Sequence, residues 1–302
     1  MFPLGIIKGG WHAFKQFIYY KKNLKGILKK LAEIEPKLIL WEATLAIPTL
    51  PSKILNLNIP IIALPHNIES LVFKQKTFFS PTNSPKYLKN ELQQLMMCDY
   101  IFVASKFDYH SFDDYPQKLK IFHYSPPNVD FFEKIRKARL STSKDFFLIL
   151  GSVTNPPTYF GIDEMLVYLT TALISEPVMV AGNGTEKYNA LLRECKNFTT
   201  LGFVNLSKLT YLLSNCKAII INHPSSSGLI NRLIECRISG VPIVGNRNYF
   251  KDYENNEGFY LFDNFSDLKK ILKQSNFISP IKPENNKIEE KSFIETIKLF
   301  LN

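Results

Sequence analysis

The sequence predicts an α/β protein built from two doubly wound domains. Its 302 residues exceed what one ordinary core needs and fit two domains of about 150 residues each. Short apolar runs that end in polar or turn residues alternate with stretches of helical length, the pattern of parallel strands joined by helices. We expect a first domain over residues 1–142, a second over 143–280, and a linker with a final helix over 281–302 that packs back toward the first domain.

The first element is predicted to be a basic amphipathic helix over residues 11–36. Apolar side chains recur at helical spacing until Pro36, and six lysines occupy most of the remaining surface. Such a helix either lies on an anionic membrane with its apolar face shallowly buried, or packs on a protein core and exposes its lysines. The sequence leaves both alternatives open.

Four short apolar runs follow, and we expect each to form a parallel strand of the first domain. Residues 74–87, rich in Ser, Pro, Thr and Lys, are expected to form a loop. The apolar pattern lapses over residues 131–144, where we place the connection between the domains. The four strands are predicted at residues 37–42, 59–67, 99–106 and 120–130.

The second half is more regular and predicts a doubly wound sheet, which binds its ligands at the carboxyl ends of its strands. Its strands are predicted at residues 146–151, 177–182, 197–202, 217–222 and 241–246. Its helices are predicted near residues 161–175, 186–196, 206–215 and 227–239, and the final helix at 289–301.

Composition and charge limit the class of protein. No apolar run reaches the roughly 18 residues of a bilayer-spanning helix, no secretory signal is recognisable, and four cysteines without a C-x-x-C pair argue for the cytosol and against structural zinc. Residues 1–140 hold 20 Lys and Arg against 11 Asp and Glu, net +9, whereas residues 141–302 hold 17 against 16, net +1. Because the lysines lack interleaved arginines and no nucleic-acid motif is present, we expect no nucleic acid partner. Peripheral contact between the basic half and an anionic membrane stays open.

Residues 223–246, HPSSSGLINRLIECRISGVPIVGN, predict a loop, a helix, a turn and a strand. Ser226 or Ser227 is expected to cap the helix, whose N-terminal amides and dipole would hold a diphosphate, with Gly228 allowing close approach. Arg232 and Glu235 share one side of the helix. They provide either a cation for phosphate and a carboxylate for a ribose diol, or an ordinary helical ion pair.

The same run resembles the donor-site signature of the GT-B glycosyltransferases of family 4 (glycosyl transferases group 1). Further segments resemble that family in order along the chain, so the resemblance covers about residues 37–272, with a shortened N-terminal domain. It implies the GT-B fold, in which two Rossmann-like domains face a central cleft. The segments are PHNIESL, DYIFVASKFDYHSF, SPPNVDFF, FFLILGSV, VMVAGNG and TTLGFVNLSKLTYLLSNCKAIII.

The resemblance implies transfer of a sugar from a UDP- or GDP-type donor to a hydroxyl of a glycan, lipid-linked or small-molecule acceptor, with retention and no obligatory metal. It assigns the catalytic roles to His66, Arg232 and Glu235, with Glu235 binding the ribose and Arg232 the phosphate. His66 and Asn67 would face the transferred sugar from the acceptor side. The implied donor-binding residues are Gly151, Ser152, Gly182, Phe203, Val204, Ser226, Ser227, Gly228, Leu229, Ile230, Arg232 and Glu235.

Two departures from the family pattern support an alternative. Ser227 stands where many members have a Glu, and the loop SVTNPPTYFG lacks the usual Arg or Lys. The alternative is a catalytically weak module that binds a nucleotide sugar or a protein partner. A dinucleotide site is not expected, because Lys187 replaces the third glycine of the fingerprint. The histidines at 12, 110, 123 and 223 lack metal-ligand spacing and are expected to be structural or at the surface.

Overall fold

The computed structural model divides into two compact units. Unit 1 comprises Met1–Tyr124, Ser227–Leu229 and Asn286–Asn302, and unit 2 comprises Ser125–Ser226 and Ile230–Asn285. The second unit therefore begins before the predicted boundary at 142/143. The described residues are 22–42, 52–72, 85–112, 117–122, 126, 128–172, 174–224, 227–283 and 287–301.

Unit 1 contains a four-stranded parallel sheet in the order β1-β2-β3-β4. Each strand overlaps one of the four predicted runs, and the middle strands are almost completely buried. Burial on both faces explains why these strands are continuous apolar runs rather than alternating ones. The strands are β1 (Ile39–Trp41), β2 (Ile61–Ala63), β3 (Tyr100–Val103) and β4 (Leu119–Ile121).

The basic helix packs on the core of unit 1. Residues 22–34 are helical (α1), their apolar side chains contact the buried core, and their lysines are exposed. For these residues the core-packed alternative is confirmed, so this apolar face is not available for insertion into a membrane. Residues 11–21 of the predicted helix and 74–84 of the predicted loop lie outside the described residues. The core-facing side chains of α1 are Leu24, Ile27, Leu28 and Leu31.

The final helix covers one face of the unit 1 sheet. The ring of Phe293 meets that of Phe102 edge-on, with centroids 5.0 Å apart, and Lys120 Nζ donates to Thr296 Oγ1 over 2.9 Å. The end of the chain thus completes unit 1. The helices after α1 in this unit are α2 (Ser52–Leu55), α3 (Pro85–Met96), α4 (Lys106–His110) and α12 (Lys287–Leu301), with a 3-10 turn at Glu69–Leu71.

Unit 2 contains a six-stranded parallel sheet in the order β10-β9-β8-β5-β6-β7. Its first five strands in sequence confirm the five predicted ones. The sequence analysis missed β10, for it predicted no strand after residue 246. The strands are β5 (Phe146–Leu150), β6 (Val178–Ala181), β7 (Phe198–Gly202), β8 (Cys216–Ile221), β9 (Ile243–Asn246) and β10 (Phe259–Phe262).

Helices flank this sheet. None of the helices in the described ranges of the chain combines the length and apolar character needed to cross a bilayer. The helices of unit 2 are α5 (Val129–Arg139), α6 (Pro156–Thr171), α7 (Asn189–Leu192), α8 (Leu206–Asn215), α9 (Asn231–Ser239), α10 (Arg247–Phe250) and α11 (Phe265–Leu272), with 3-10 turns at Thr185–Tyr188 and Lys251–Tyr253.

Helix α5 corrects the predicted connection at residues 131–144. Phe132 and Ile135 are buried, and two arginines of the same helix reach backbone carbonyls of unit 2. Arg136 Nε donates to Ile238 O over 2.8 Å, and Arg139 donates to Gly240 O and Cys216 O, each over 3.0 Å. The apolar pattern lapses here because arginine stems and guanidinium groups do the packing that apolar side chains usually do.

Candidate functional site

The strand order of unit 2 reverses between β5 and β8, and ligands of doubly wound sheets bind outside the carboxyl ends of the strands at such a switch point. Gly151 and Ser152 follow β5 directly, and the segment that leads to α9 follows β8. The Ser152 hydroxyl lies 2.7 Å from Thr154 Oγ1. The structure thus brings these two predicted residues to the expected edge of the sheet.

Gly182 and Phe203 follow the next two strands at the same edge. Gly182 has φ +132°, and a Cβ there would lie 1.9 Å from Gly151 O, so the close approach of β5 and β6 itself requires glycine. Phe203 is 79% exposed after β7, which leaves its ring open for stacking, and Val204 beside it is half-buried.

Helix α9 begins later than predicted. Its N-cap is Ile230, which makes no side-chain capping bond, and the expected turn at Gly240 is confirmed by φ +71°. The predicted cap by Ser227 is wrong, because the Ser227 hydroxyl bonds elsewhere, and Ser226 lies outside the described residues. The Ile230 amide is also not free, since it donates to Tyr249 Oη over 3.3 Å.

Arg232 and Glu235 form an ion pair on α9. Arg232 Nη1 lies 2.5 Å from Glu235 Oε2, with side chains 24% and 19% exposed. The contact lacks hydrogen-bond geometry, so the buried Oε2 accepts no hydrogen bond from the described part of the chain. A buried acceptor left in this state is uncommon in folded proteins, and a ligand hydroxyl would satisfy it.

In unit 1, His66 stands beyond the carboxyl end of β2 and pairs with Glu42, the residue after the neighbouring β1. His66 Nε2 lies 2.5 Å from Glu42 Oε1, and the side chains are 60% and 66% exposed. The sequence analysis missed Glu42. The two side chains meet because parallel strands end at the same edge of a sheet.

The turn Ser227–Leu229 lies against the loop that carries His66. Gly228 has φ +91°, and a Cβ there would lie 1.9 Å from Asn67 Oδ1 and 3.3 Å from His66 O. The positive φ favours glycine, and any larger residue would also have to displace the Asn67 side chain. Leu229 is half-buried beside it. Unit 1 therefore brings together the predicted residues His66, Asn67 and Gly228.

The buried carboxylate of Asp108 ties this arrangement together. Its side chain is 1% exposed and accepts hydrogen bonds from Ser105 Oγ at 2.6 Å, Ser227 Oγ at 2.5 Å and Gly228 N at 3.0 Å. The Ser227 oxygen in turn accepts the amide of Ile68. Burial raises the pKa of Asp108 above its usual value, against the lowering effect of these bonds.

These bonds correct the expectation that the amides ahead of α9 are free for phosphate. The Gly228 amide is bound to Asp108 and the Ile230 amide to Tyr249. In the first turn of α9 the Leu233 amide donates to Ile230 O over 2.9 Å, which leaves the amides of Asn231 and Arg232 as the backbone donors without an intrahelical acceptor.

No protein-family model matches the chain, and no curated protein matches it. Solved structures do. Sucrose-phosphate synthase from Thermosynechococcus elongatus has a TM-score of 0.63 at 13% identity over 85% of this chain and 68% of its own. HepE from Anabaena in complex with UDP and glucose has a TM-score of 0.54 at 13% identity over 80% and 72%. The UDP-GlcNAc 2-epimerase of Methanocaldococcus jannaschii in complex with UDP-GlcNAc and UDP has a TM-score of 0.52 at 17% identity over 96% and 81%.

The chain has the GT-B fold. Two units with parallel sheets, each with candidate residues beyond the carboxyl ends of its strands, confirm the predicted fold class. Identities of this size show the fold alone, so the roles implied by family 4 stay predictions.

His223 is buried after β8, its Nδ1 lies 2.8 Å from Pro224 O, and burial lowers its pKa to about 4. That agrees with the predicted structural role, whereas His110 is exposed and the other two histidines lie outside the described residues. Across the described ranges, no cluster of three or more His, Cys, Asp and Glu side chains is arranged to hold a metal.

The sequence analysis did not single out Asp108, although its local capping contact with Ser105 follows a recognisable spacing. Asp108 stands three residues after Ser105 at the start of α4, a spacing typical of N-terminal capping, and Ser105 Oγ does accept the Asp108 amide. Its second partner, Ser227, is 119 residues away. No local pattern could have indicated that contact.

Proposed function

We propose that this chain is a glycosyltransferase of the hexosyltransferase type, which moves a sugar from a nucleotide diphosphate donor to an acceptor hydroxyl. The observation that carries the proposal is the buried Glu235 Oε2, which is paired with Arg232 beyond the carboxyl ends of the unit 2 strands and accepts no hydrogen bond from the described residues. A ribose hydroxyl is a donor of the required kind. Arg232 beside it is the cation that a diphosphate needs.

The donor contacts follow from the positions of these side chains. Glu235 binds the ribose diol, while Arg232 and the amides and dipole at the start of α9 bind the diphosphate. Gly151, Ser152 and Gly182 line the same edge, and the exposed ring of Phe203 stacks on the base with Val204 beside it. The donor is of the UDP or GDP type. UDP is favoured because two proteins of the same fold were solved in complex with it.

Chemically, the acceptor oxygen forms a bond to the anomeric carbon while the bond from that carbon to the diphosphate breaks, and the acceptor hydroxyl gives up its proton to the departing diphosphate. The leaving group carries the negative charge that develops. Arg232 and the helix dipole are fixed in advance to stabilise that charge, so no obligatory metal is proposed. His66, oriented by Glu42, hydrogen-bonds the transferred sugar, with Asn67 next to it. By the family resemblance, the anomeric configuration is retained.

The acceptor is a hydroxyl of a glycan, a lipid-linked molecule or a small molecule. The exposed lysines of α1 give unit 1 a basic surface that suits an anionic acceptor or peripheral contact with an anionic membrane from the cytoplasmic side. With the apolar face of residues 22–34 packed inside the unit, such contact would be electrostatic and would weaken with salt.

The test combines binding and turnover. UDP and GDP are titrated calorimetrically into the wild type, Glu235→Ala, Arg232→Ala and the control Arg237→Ala, which lies in the last turn of the same helix. We expect the first two changes to weaken binding of the preferred nucleotide about tenfold or more, as loss of about 1.4 kcal/mol or more would do. The control should bind like the wild type. Nucleotide binding unaffected by both site changes would remove the assigned site.

Turnover decides between transfer and the alternatives. UDP-glucose, UDP-N-acetylglucosamine and GDP-mannose are incubated with the protein, and the products are followed by proton NMR. Release of nucleotide diphosphate supports a transferase, and an altered sugar still attached to its nucleotide would indicate an epimerase, an activity found in this fold. Binding without any product supports the catalytically weak module, the alternative suggested by Ser227 at a position where the family pattern has a Glu.

A further inference from the structure

We propose that Asp108 is the positioning residue of the transfer site: by holding Ser227 and Gly228, it fixes His66 and Asn67 in the arrangement needed to act on the sugar. This inference rests on the proposed function and adds a role for a residue that touches no substrate. The observation behind it is a chain of hydrogen bonds inside unit 1 that joins two loops far apart in sequence.

The chain of bonds has a defined direction. The Ile68 amide donates to Ser227 Oγ, and the Ser227 hydroxyl donates to Asp108 Oδ1 over 2.5 Å. The Gly228 amide donates to Asp108 Oδ2 over 3.0 Å. Ser227 is 7% exposed and Asp108 1% exposed, so water does not compete for these bonds. Each loop thus depends on one carboxylate for its buried polar groups.

The same bonds fix His66 and Asn67. Ile68 is fully buried next to them, and Gly228 lies so close to both residues that a Cβ on it would overlap Asn67 Oδ1 and lie 3.3 Å from His66 O. If the carboxylate is lost, Ser227 loses its acceptor, and the turn that supports Asn67 is no longer held. A displacement of about 1 Å at such a position can reduce turnover about a hundredfold.

An amide cannot replace this carboxylate. Three donors converge on two carboxylate oxygens, whereas Asn presents one oxygen and an NH2 group that would face a hydroxyl or amide donor. Asp108→Asn therefore keeps the size of the side chain and removes its ability to accept all three hydrogen bonds. Ser227→Ala removes the middle of the chain of bonds and leaves Asp108 ionisable.

The matched control is Asp99→Asn. Asp99 is also a carboxylate of unit 1 that accepts a backbone amide, that of Ile61 over 2.8 Å, but Ile61 begins β2 at the end of the strand away from His66. The control makes the same chemical change in the same unit. Asp99 is exposed whereas Asp108 is buried, so the control reports the effect of the Asp→Asn change itself, and a rate loss in both variants would count against a specific role of Asp108.

The experiment measures UDP affinity and the rate of UDP release from UDP-glucose and UDP-N-acetylglucosamine. For Asp108→Asn and Ser227→Ala we expect UDP affinity within about twofold of wild type, because Arg232 and Glu235 lie in unit 2, and turnover reduced about ten- to a hundredfold. The double variant should be no slower than the slower single one. Asp99→Asn should keep wild-type turnover.

Hydrogen exchange supplies a readout besides activity: the amides of Ile68 and Gly228 should exchange faster in Ser227→Ala without any ligand. The proposal is overturned by turnover within about threefold of wild type in a folded Ser227→Ala protein, or by parallel losses of turnover and UDP affinity. If Asp108→Asn does not fold, Ser227→Ala decides. A wild type that neither binds UDP nor releases it from a donor would instead defeat the proposed function, on which this inference depends.

Discussion

The two units stabilise buried backbone with side chains of opposite charge. Among the described residues, the buried charged side chains of unit 1 are Glu69, Glu91 and Asp108, whereas that of unit 2 is Arg139. Glu91 accepts the amides of Glu69 and Ser70 over 2.7 and 2.8 Å. In unit 2, Arg136 and Arg139 of α5 donate to carbonyls. In unit 1 the lysines of α1 are thus exposed, whereas the buried charged side chains are acidic.

This difference teaches which groups keep the loops in place. Amides before and between helices need acceptors, and carboxylates supply them in unit 1; carbonyls at the ends of α8 and α9 need donors, and arginines supply them in unit 2. Net charge counted along the sequence therefore says nothing about the sign of the buried charges. Substitutions that remove one buried charge at a time should show how much the carboxylates stabilise unit 1 and the arginines unit 2.

The largest effect is expected for Arg139→Met. The change keeps an unbranched side chain of similar length but removes the guanidinium that donates to the carbonyls of Leu213, Cys216 and Gly240, which should lower the free energy of unfolding by about 3–5 kcal/mol. Hydrogen exchange followed by mass spectrometry should show faster exchange in peptides from α8 and β8. The control Arg193→Met changes an exposed arginine of the same unit. A decrease in the free energy of unfolding below about 1 kcal/mol would contradict the role given to Arg139 in unit 2.

Acid should act on unit 2 through His223 rather than through its arginines. The folded-state pKa of about 4 lies below the usual 6.5, so the neutral imidazole contributes stability above pH 6.5 that is lost as the pH falls toward 4. Between pH 6.5 and 4, the free energy of unfolding of the wild type should fall by about 3 kcal/mol more than that of His223→Asn. Urea unfolding at several pH values measures this difference. His110→Asn, at an exposed histidine, should follow the wild type.

A smaller effect is expected for Glu91→Gln in unit 1. Glutamine offers one acceptor oxygen where the carboxylate binds two amides. The free energy of unfolding should therefore fall by about 1–2 kcal/mol. The fluorescence of Trp41, which is buried in unit 1, reports the transition. Glu33→Gln is the matched control, because the exposed pair Lys29–Glu33 should contribute less than about 0.5 kcal/mol. Equal losses in the two variants would contradict the role given to buried carboxylates.

The sequence predicted the parts of the fold that depend on local pattern. Apolar runs identified nine of the strands, and Gly240 identified the end of α9. It failed where charged side chains replace apolar ones in packing, as in α5, whose Arg136 and Arg139 resemble a solvated linker on paper. It also failed for the start of α9, because Ser227 was assigned to the nearest helix although its hydroxyl bonds Asp108.

The candidate site shows the same limit. Glu235 and Arg232 are paired through spacing on one helix, which the sequence contains. The contacts of Glu42 with His66 and of Asp108 with Gly228 exist only once the chain is folded. The first depends on the pairing of β1 with β2, and the second on the turn Ser227–Leu229, which belongs to unit 1 although it lies far along the sequence.

The order in which the two units are completed during synthesis follows from which segments of the chain each unit contains. Unit 2 ends at Asn285, whereas unit 1 still needs α12, although unit 1 also contains the first residues of the chain. On the ribosome, the amino-terminal unit therefore waits with one face of its sheet uncovered until the last helix emerges, and a nascent chain that stops short of it would expose Phe102 to other chains.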